Sequence, residues 1–326
     1  MNKKSFTLIE MIFVIVILSF IGIGVINIIS HLYKRNYIVK SASYLSFASQ
    51  QSLDYLSSIL YNRIPLTAIG YNPNNGDFKY IGWIQPTDVN YTIFEWISGG
   101  FDERKENNLS GLIDIEKSNK NEKYIYAVDY NKNFINTIMN NKFNKDVTDG
   151  AIVFAGSFDL GDESSISDTE EYKNAWGWHN HEHKYIYTIN KIDKNGEDAK
   201  IYLNELDKND TLYEKFYYVD TAYTLALGKD INQNAICIQN LINNKIIKKS
   251  DINNTLFLFY NYRPWQNQTF CADKNGINKD GNVTILASNV KGFLVRSVNT
   301  HLEIRMTLFV NKSDINVTIS KQKVTF

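Results

Sequence analysis

Between Met11 and Ser30 the chain has no charged side chain, and Glu10 stands at the edge of that run. At 1.5 Å per residue a helix over these positions is about 30 Å long, the thickness of a bilayer's hydrocarbon core. A carboxylate carried to the bilayer centre costs about 2.5–3.5 kcal/mol on insertion scales, so an acid in such a place needs a partner and points to function. The segment reads as a membrane-spanning helix. The plainer alternative is an ordinary anchor with its acid left among the headgroups. A cleaved secretory signal fits less well, because the basic region is only Lys3 and Lys4, the apolar run exceeds the usual length of about 7–15 residues, and no small-x-small site immediately follows.

The order of residues narrows the choice. Two lysines, a small residue and "FTLIE" precede the apolar run, and "SFTLIEM" resembles the leader of type IV pilins and of the pseudopilins of type II secretion, Gly-Phe-Thr-Leu-(Ile/Val)-Glu, from Phe6 to Glu10. Ser5 stands where that family usually has glycine, and the resemblance covers about the first thirty residues. It implies cleavage between Ser5 and Phe6 by a prepilin peptidase and methylation of the new amino terminus on Phe6. It also implies assembly with other pilins or pseudopilins on an inner-membrane platform, with Glu10 facing the cationic terminus of a neighbour's Phe6. Two charges that are each expensive in lipid are then neutralised as a pair, which favours the assembled state. Lys3 and Lys4 hold the short N-terminus in the cytoplasm, with Lys34 and Arg35 weakening the bias, so a single-pass inner-membrane protein with a periplasmic head is expected.

Equal numbers of basic and acidic side chains, thirty-five each, leave no global charge to grip nucleic acid. With 44% hydrophobic residues the chain has ample material for a packed core. Abundant Asn, Lys, Ile and Tyr read as codon bias. No proline or glycine interrupts residues 25–64, and Ile28, Leu32, Ile38, Leu45, Leu53, Leu56 and Leu60 recur at helical spacing, as a stripe that docks on a head would. Gly22 and Gly24 mark either a place where the helix can loosen or one where neighbouring helices approach. After Pro65 short β-rich runs alternate with turns such as "NPNNGD" and "DKNGED". Candidate strands lie at 123–130, 150–160, 183–192 and 256–262. In "HLEIRMTLFV" the residues Leu302, Ile304, Met306, Leu308 and Val310 alternate with polar ones, as a sheet with one wet face requires. "ILASNVKGFLVRSV" and "INVTISKQKVTF" read as its antiparallel neighbours, a tail that loosely resembles the closing sheet of larger minor pilins. The expected fold is α+β and pilin-like: a leader at 1–5, a helix at 6–62 with about 11–30 in the membrane, and a β-rich head at 63–326.

Possible site residues in the head are few. His179, His181 and His183 would share one face of a strand and could ligate zinc, copper or nickel, but successive side chains on that face are almost 7 Å apart, too far for one ion without a bend, and surface or loop histidines are the favoured reading. "DKNGINKDGN" is acidic enough for calcium yet fails the EF-hand order. No phosphate loop, nucleophile elbow or HExxH motif occurs, so neither enzymatic activity nor a cofactor is expected. Trp176, Trp178 and Trp265 could stack on sugars in an adhesin-like head, though core packing explains them better. Cys237 and Cys271, the two cysteines, would form a disulfide in an oxidising compartment, the alternative being buried free thiols. Eight Asn-x-(Ser/Thr) triplets occur, at Asn90, Asn108, Asn209, Asn253, Asn267, Asn282, Asn311 and Asn316. Six have an acid two residues earlier, where chance would supply about one. The longer pattern resembles the sequon of bacterial oligosaccharyltransferases, which implies glycosylation, with Asn108, Asn209 and Asn282 in the most polar surroundings and Asn316 in a strand. The alternative is that Asp and Asn cluster in turns for backbone reasons.

Overall fold

The structure, a computed structural model, describes residues 8–99, 110–130, 147–158, 166–271, 281–298, 301–312 and 315–325. Helix α1 (Leu8–Leu60) is one unbroken rod of 53 residues. It ends where the chain approaches Pro65, whose ring disfavours helix in the residue before it, and the Arg63 guanidinium caps the orphan carbonyl of Leu60 at 3.0 Å. Its buried side chains lie in the last third, at Leu45, Ser49, Ser52, Leu53, Leu56 and Leu60, while farther back the Lys312 ammonium of the head lies over the Tyr37 ring at 5.2 Å. The apolar positions nearer the N-terminus are not part of that seam, since Ile28, Leu32 and Ile38 are 62%, 61% and 43% exposed. The docking stripe is therefore shorter than its periodicity suggests. Helical spacing of apolar residues says which face they share, not what covers it.

The head contains two sheets. The larger has eleven strands: β1 (Ile69–Tyr71), β2 (Phe78–Tyr80), β3 (Ile93–Gly99), β4 (Gly111–Asn119), β5 (Tyr124–Val128), β6 (Ala151–Phe154), β7 (Tyr187–Asn195), β8 (Asp198–Leu203), β9 (Lys215–Leu227), β10 (Leu256–Tyr262) and β11 (Asn282–Ala287). Strand β9 is its spine. The second half of β9 pairs with β3 on one side and β10 on the other, building an open sheet in the order β2-β1-β3-β9-β10-β11. Its first half pairs with β4 and with β6, and the pairings β4–β5, β5–β8, β8–β7 and β7–β6 complete a closed ring of six strands. Closure removes the sheet edges that would otherwise recruit other chains. The ring is filled by a core that includes Ile125, Ile152, Phe154, Ile201, Phe216 and Tyr218.

The second sheet consists of β12 (Val290–Val298), β13 (His301–Lys312) and β14 (Ile315–Thr325), antiparallel in that order. Leu302, Ile304, Met306 and Leu308 of β13 are at most 3% exposed and pack with the α1 seam, Phe94, Trp96 and Leu225 in one core. Strands β12 and β14 flank β13 as the alternation requires, but "ILA" at 285–287 belongs to β11 in the larger sheet. The chain changes sheet at Ser288–Asn289, where Asn289 adopts φ 58° and its carbonyl accepts the Phe309 N–H at 2.9 Å. Ser52 Oγ donates to the Leu286 carbonyl at 3.2 Å, and Lys323 reaches Asp54 at 2.5 Å, so α1 is tied to both sheets. Two short helices, α2 (Ile166–Lys173) and α3 (Ile236–Asn243), complete the described elements of regular structure with several single 3-10 turns.

Candidate functional site

The first turns of α1 carry an acid on an otherwise apolar rod. Glu10 is exposed, and so are Leu8, Ile9, Met11 and Ile12 beside it. The head covers none of the most apolar 18-residue stretch of α1, so every face of that stretch is available to lipid or to other subunits. Length and composition suffice for one membrane crossing. Ser5 and Phe6 lie outside the described residues.

Residues 1–26 match the family model of the prokaryotic N-terminal methylation motif. No curated protein and no solved structure significantly matches the chain. The motif and the long apolar helix behind it support a type IV pilin-like protein, and the helix fits a membrane anchor. It carries the processing signature of a prepilin, which implies cleavage by a prepilin peptidase and assembly with other pilins.

Cys237, on α3, and Cys271 form a disulfide with their Cα atoms 5.9 Å apart, set among Ile238, Leu241, Phe259 and Phe270. The three histidines do not share a strand. Gly177, at φ 80° and packed so closely on the Trp265 backbone that a Cβ would lie 2.8 Å from it, turns the chain into a 3-10 turn at Trp178–Asn180. His179 itself sits at φ 51°. Its Nε2 lies 2.9 Å from Glu95 Oε1, and its ring stacks on Tyr71 at 3.9 Å. His181 instead meets the Phe78 ring edge at 5.2 Å, where burial first, and Lys173 second, lowers its pKa. His183 Nδ1 pairs with the Ile186 carbonyl at 3.1 Å. The imidazoles thus splay to three partners, and among the described residues no group of three or more His, Cys, Asp or Glu side chains could hold a metal. The expected metal set His179, His181 and His183 is corrected on that ground. Trp176, Trp178 and Trp265, at 1–3% exposure, are core residues and unavailable for stacking on a ligand.

The sequence reading missed the acid that His179 serves. Glu95, on β3, is 1% exposed; its Oε2 accepts from the Tyr262 hydroxyl at 2.9 Å, and Thr224 Oγ1 lies 2.6 Å from that hydroxyl. A carboxylate inside the apolar strand "TIFEWISGG" was the available signal, since a buried charge is retained only with partners.

The sequon asparagines fall in unlike places. Asn90 and Asn209 are exposed on turns. At Asn209 the preceding acid has a structural task, because Asp207 Oδ1 accepts the Asn209 N–H at 3.1 Å. Asn253 is exposed, but its Oδ1 is held by Gln233 and the hydroxyl residue of its triplet, Thr255, is buried. Asn282 opens β11 opposite Tyr260, a strand position its polar surroundings did not suggest, and Asn316 pairs with Asn311 between β14 and β13. Asn108 lies outside the described residues.

Proposed function

We propose that this chain is a minor pilin or minor pseudopilin, a structural rather than enzymatic subunit that initiates or lies near the tip of a short filament assembled at the inner membrane, with its head in the periplasm. The observation that carries the reading is the rod of α1 from Leu8 to Asn36, whose apolar side chains the head leaves exposed and whose first turn holds Glu10. In a filament those side chains pack against neighbouring helices, and Glu10 pairs with the terminal amine of an adjacent subunit. A head of some 260 residues is larger than a repeating shaft subunit needs, which favours a rare position at the tip. Because Glu10 requires an earlier neighbour, that position is just below the outermost subunit. Secretion, DNA uptake and pilus biogenesis all use such filaments. In a host with an oligosaccharyltransferase, Asn90 and Asn209 are the acceptors best placed on exposed turns.

The test is crosslinking of the full chain to other prepilins in native membranes. Glu10→Val removes a charge from the span, so insertion should persist while crosslinking falls at least tenfold. Crosslinking that survives the substitution would remove the pairing from the account.

A further inference from the structure

The six-stranded ring has a mouth that the filament reading does not use. The residues after β6, before β7, after β8 and before β9 all emerge at the same end of the ring, as the registers Phe154↔Phe216, Ile152↔Tyr187 and Ile189↔Leu203 require. The connection from β8 to β9 lies across that end. On one side of it is a cleft of about 690 Å³, lined by Ser157, Tyr185, Tyr187, Glu205, Asp210 and Tyr213 among others. A second cleft of about 560 Å³, shared with Ser118–Asn121, lies on the other side. Barrel mouths are recurrent ligand sites, and this one is lined by the connections that leave the ring's strands, with Tyr187 at the start of β7.

The chemistry of the first cleft narrows the ligand. Its aromatic residues are tyrosines, which offer apolar ring and hydroxyl together. The Tyr187 ring is 5% exposed, and Tyr185 is braced by Phe158, Trp176 and a hydroxyl bond to Glu171. Glu205 is fixed by the Thr188 N–H and hydroxyl, both at 2.6 Å, which leaves further lone pairs on each oxygen. Asp210 Oδ2 accepts the Asp207 N–H at 2.8 Å, and the Tyr187 phenol is raised in pKa by burial and by this carboxylate. Ser157 Oγ, in contrast, is buried at the lining with no partner among the described residues, a state that ordinarily costs about 1–3 kcal/mol. Donors (the tyrosine and serine hydroxyls and Lys184) and carboxylate acceptors (Glu182, Glu205 and Asp210) are therefore mixed in the lining. A cation site would present acceptors alone and an anion site donors alone, and no metal-competent cluster occurs among the described residues.

We infer that the cleft at the mouth of the ring, between Tyr185, Tyr187 and Tyr213, is a binding site for a neutral carbohydrate, with the Tyr213 ring against a sugar face and Ser157, Glu205 and Asp210 bonding its hydroxyls. The inference does not rest on the filament reading. Asn209 lines the same cleft, so a glycan attached there would compete for it.

The test uses full-length protein in detergent, made in a host without N-glycosylation. It is probed against an array of neutral hexose and N-acetylhexosamine oligosaccharides, with heparin fragments and oligolysine as charged probes. Neutral oligosaccharides should bind in a salt-insensitive manner. Tyr213→Ala should weaken binding at least tenfold, and Ser157→Ala about fivefold, the worth of one hydrogen bond. Ser157→Ala removes only an unpartnered hydroxyl and should leave the melting temperature unchanged or raised, so it remains informative should Tyr213→Ala fold poorly. Failure of every neutral probe, binding confined to charged probes, or neutral binding unchanged in Ser157→Ala would each overturn the inference.

Discussion

Glu303 illustrates how one carboxylate can hold a sheet together on its wet face. It lies opposite Arg296 of β12 and accepts from that guanidinium at 2.8 and 2.5 Å, while Arg305 of its own strand reaches its other oxygen at 3.0 Å. Hydrogen bonding from Arg296, then from Arg305, holds the Glu303 carboxyl below its ordinary pKa. A group whose folded pKa is depressed contributes stability that is fully present above its unfolded pKa, about 4.3, and is lost as pH falls through the folded value. Glu303→Gln should therefore lower the melting temperature at pH 7, with the difference from the parent shrinking below about pH 4 and vanishing in stronger acid. A difference that persists unchanged in acid would mean that packing, not charge, carries the residue. Glu95 is the opposite kind of acid, enclosed by the apolar strand and satisfied by His179 and Tyr262. It was invisible in a reading that sought acids only in turns and at the membrane.

At the scale of elements, α1 divides into a part that stabilises the head and a part that does not. Leu56 is fully buried on the seam, so Leu56→Ala should cost about 2–5 kcal/mol in denaturant unfolding of the detergent-solubilised protein. Leu32→Ala, on the same helix but 61% exposed, should leave that transition unmoved. Equal effects would mean that the whole helix docks on the head. The disulfide closes a loop of about 35 residues between α3 and the segment after β10. In the chain-entropy model its loss through Cys237→Ser with Cys271→Ser costs about 4 kcal/mol, and reduction of the parent should cost the same.

Some of this was legible because local chemistry decided it. The uncharged run gave the membrane helix, and the strict alternation from Leu302 to Leu308 gave β13 and the face it buries. The ring was not legible. Its closure depends on β9 pairing with β6 and β4 at one end and with β3 and β10 at the other, partners far away in the chain that no period of 2 or 3.6 encodes. The histidines were legible as loop residues but not in their geometry: Gly177 and a left-handed His179 make a turn of what alternation alone would read as strand. The tyrosine cleft is likewise assembled from connections far apart in the chain and has no contiguous signature.

For the whole molecule the parts form one argument. An apolar rod that the head leaves uncovered, an acid at its start and a large disulfide-linked head with a closed ring describe a subunit made to be held by others at one end and to face outward at the other. The filament reading depends on the leader being recognised and removed. The most direct measurement is intact mass and N-terminal sequencing of the mature protein from its native membranes. The account predicts a chain beginning at N-methylated Phe6; a chain that retains Met1 and the residues up to Ser5 would contradict it.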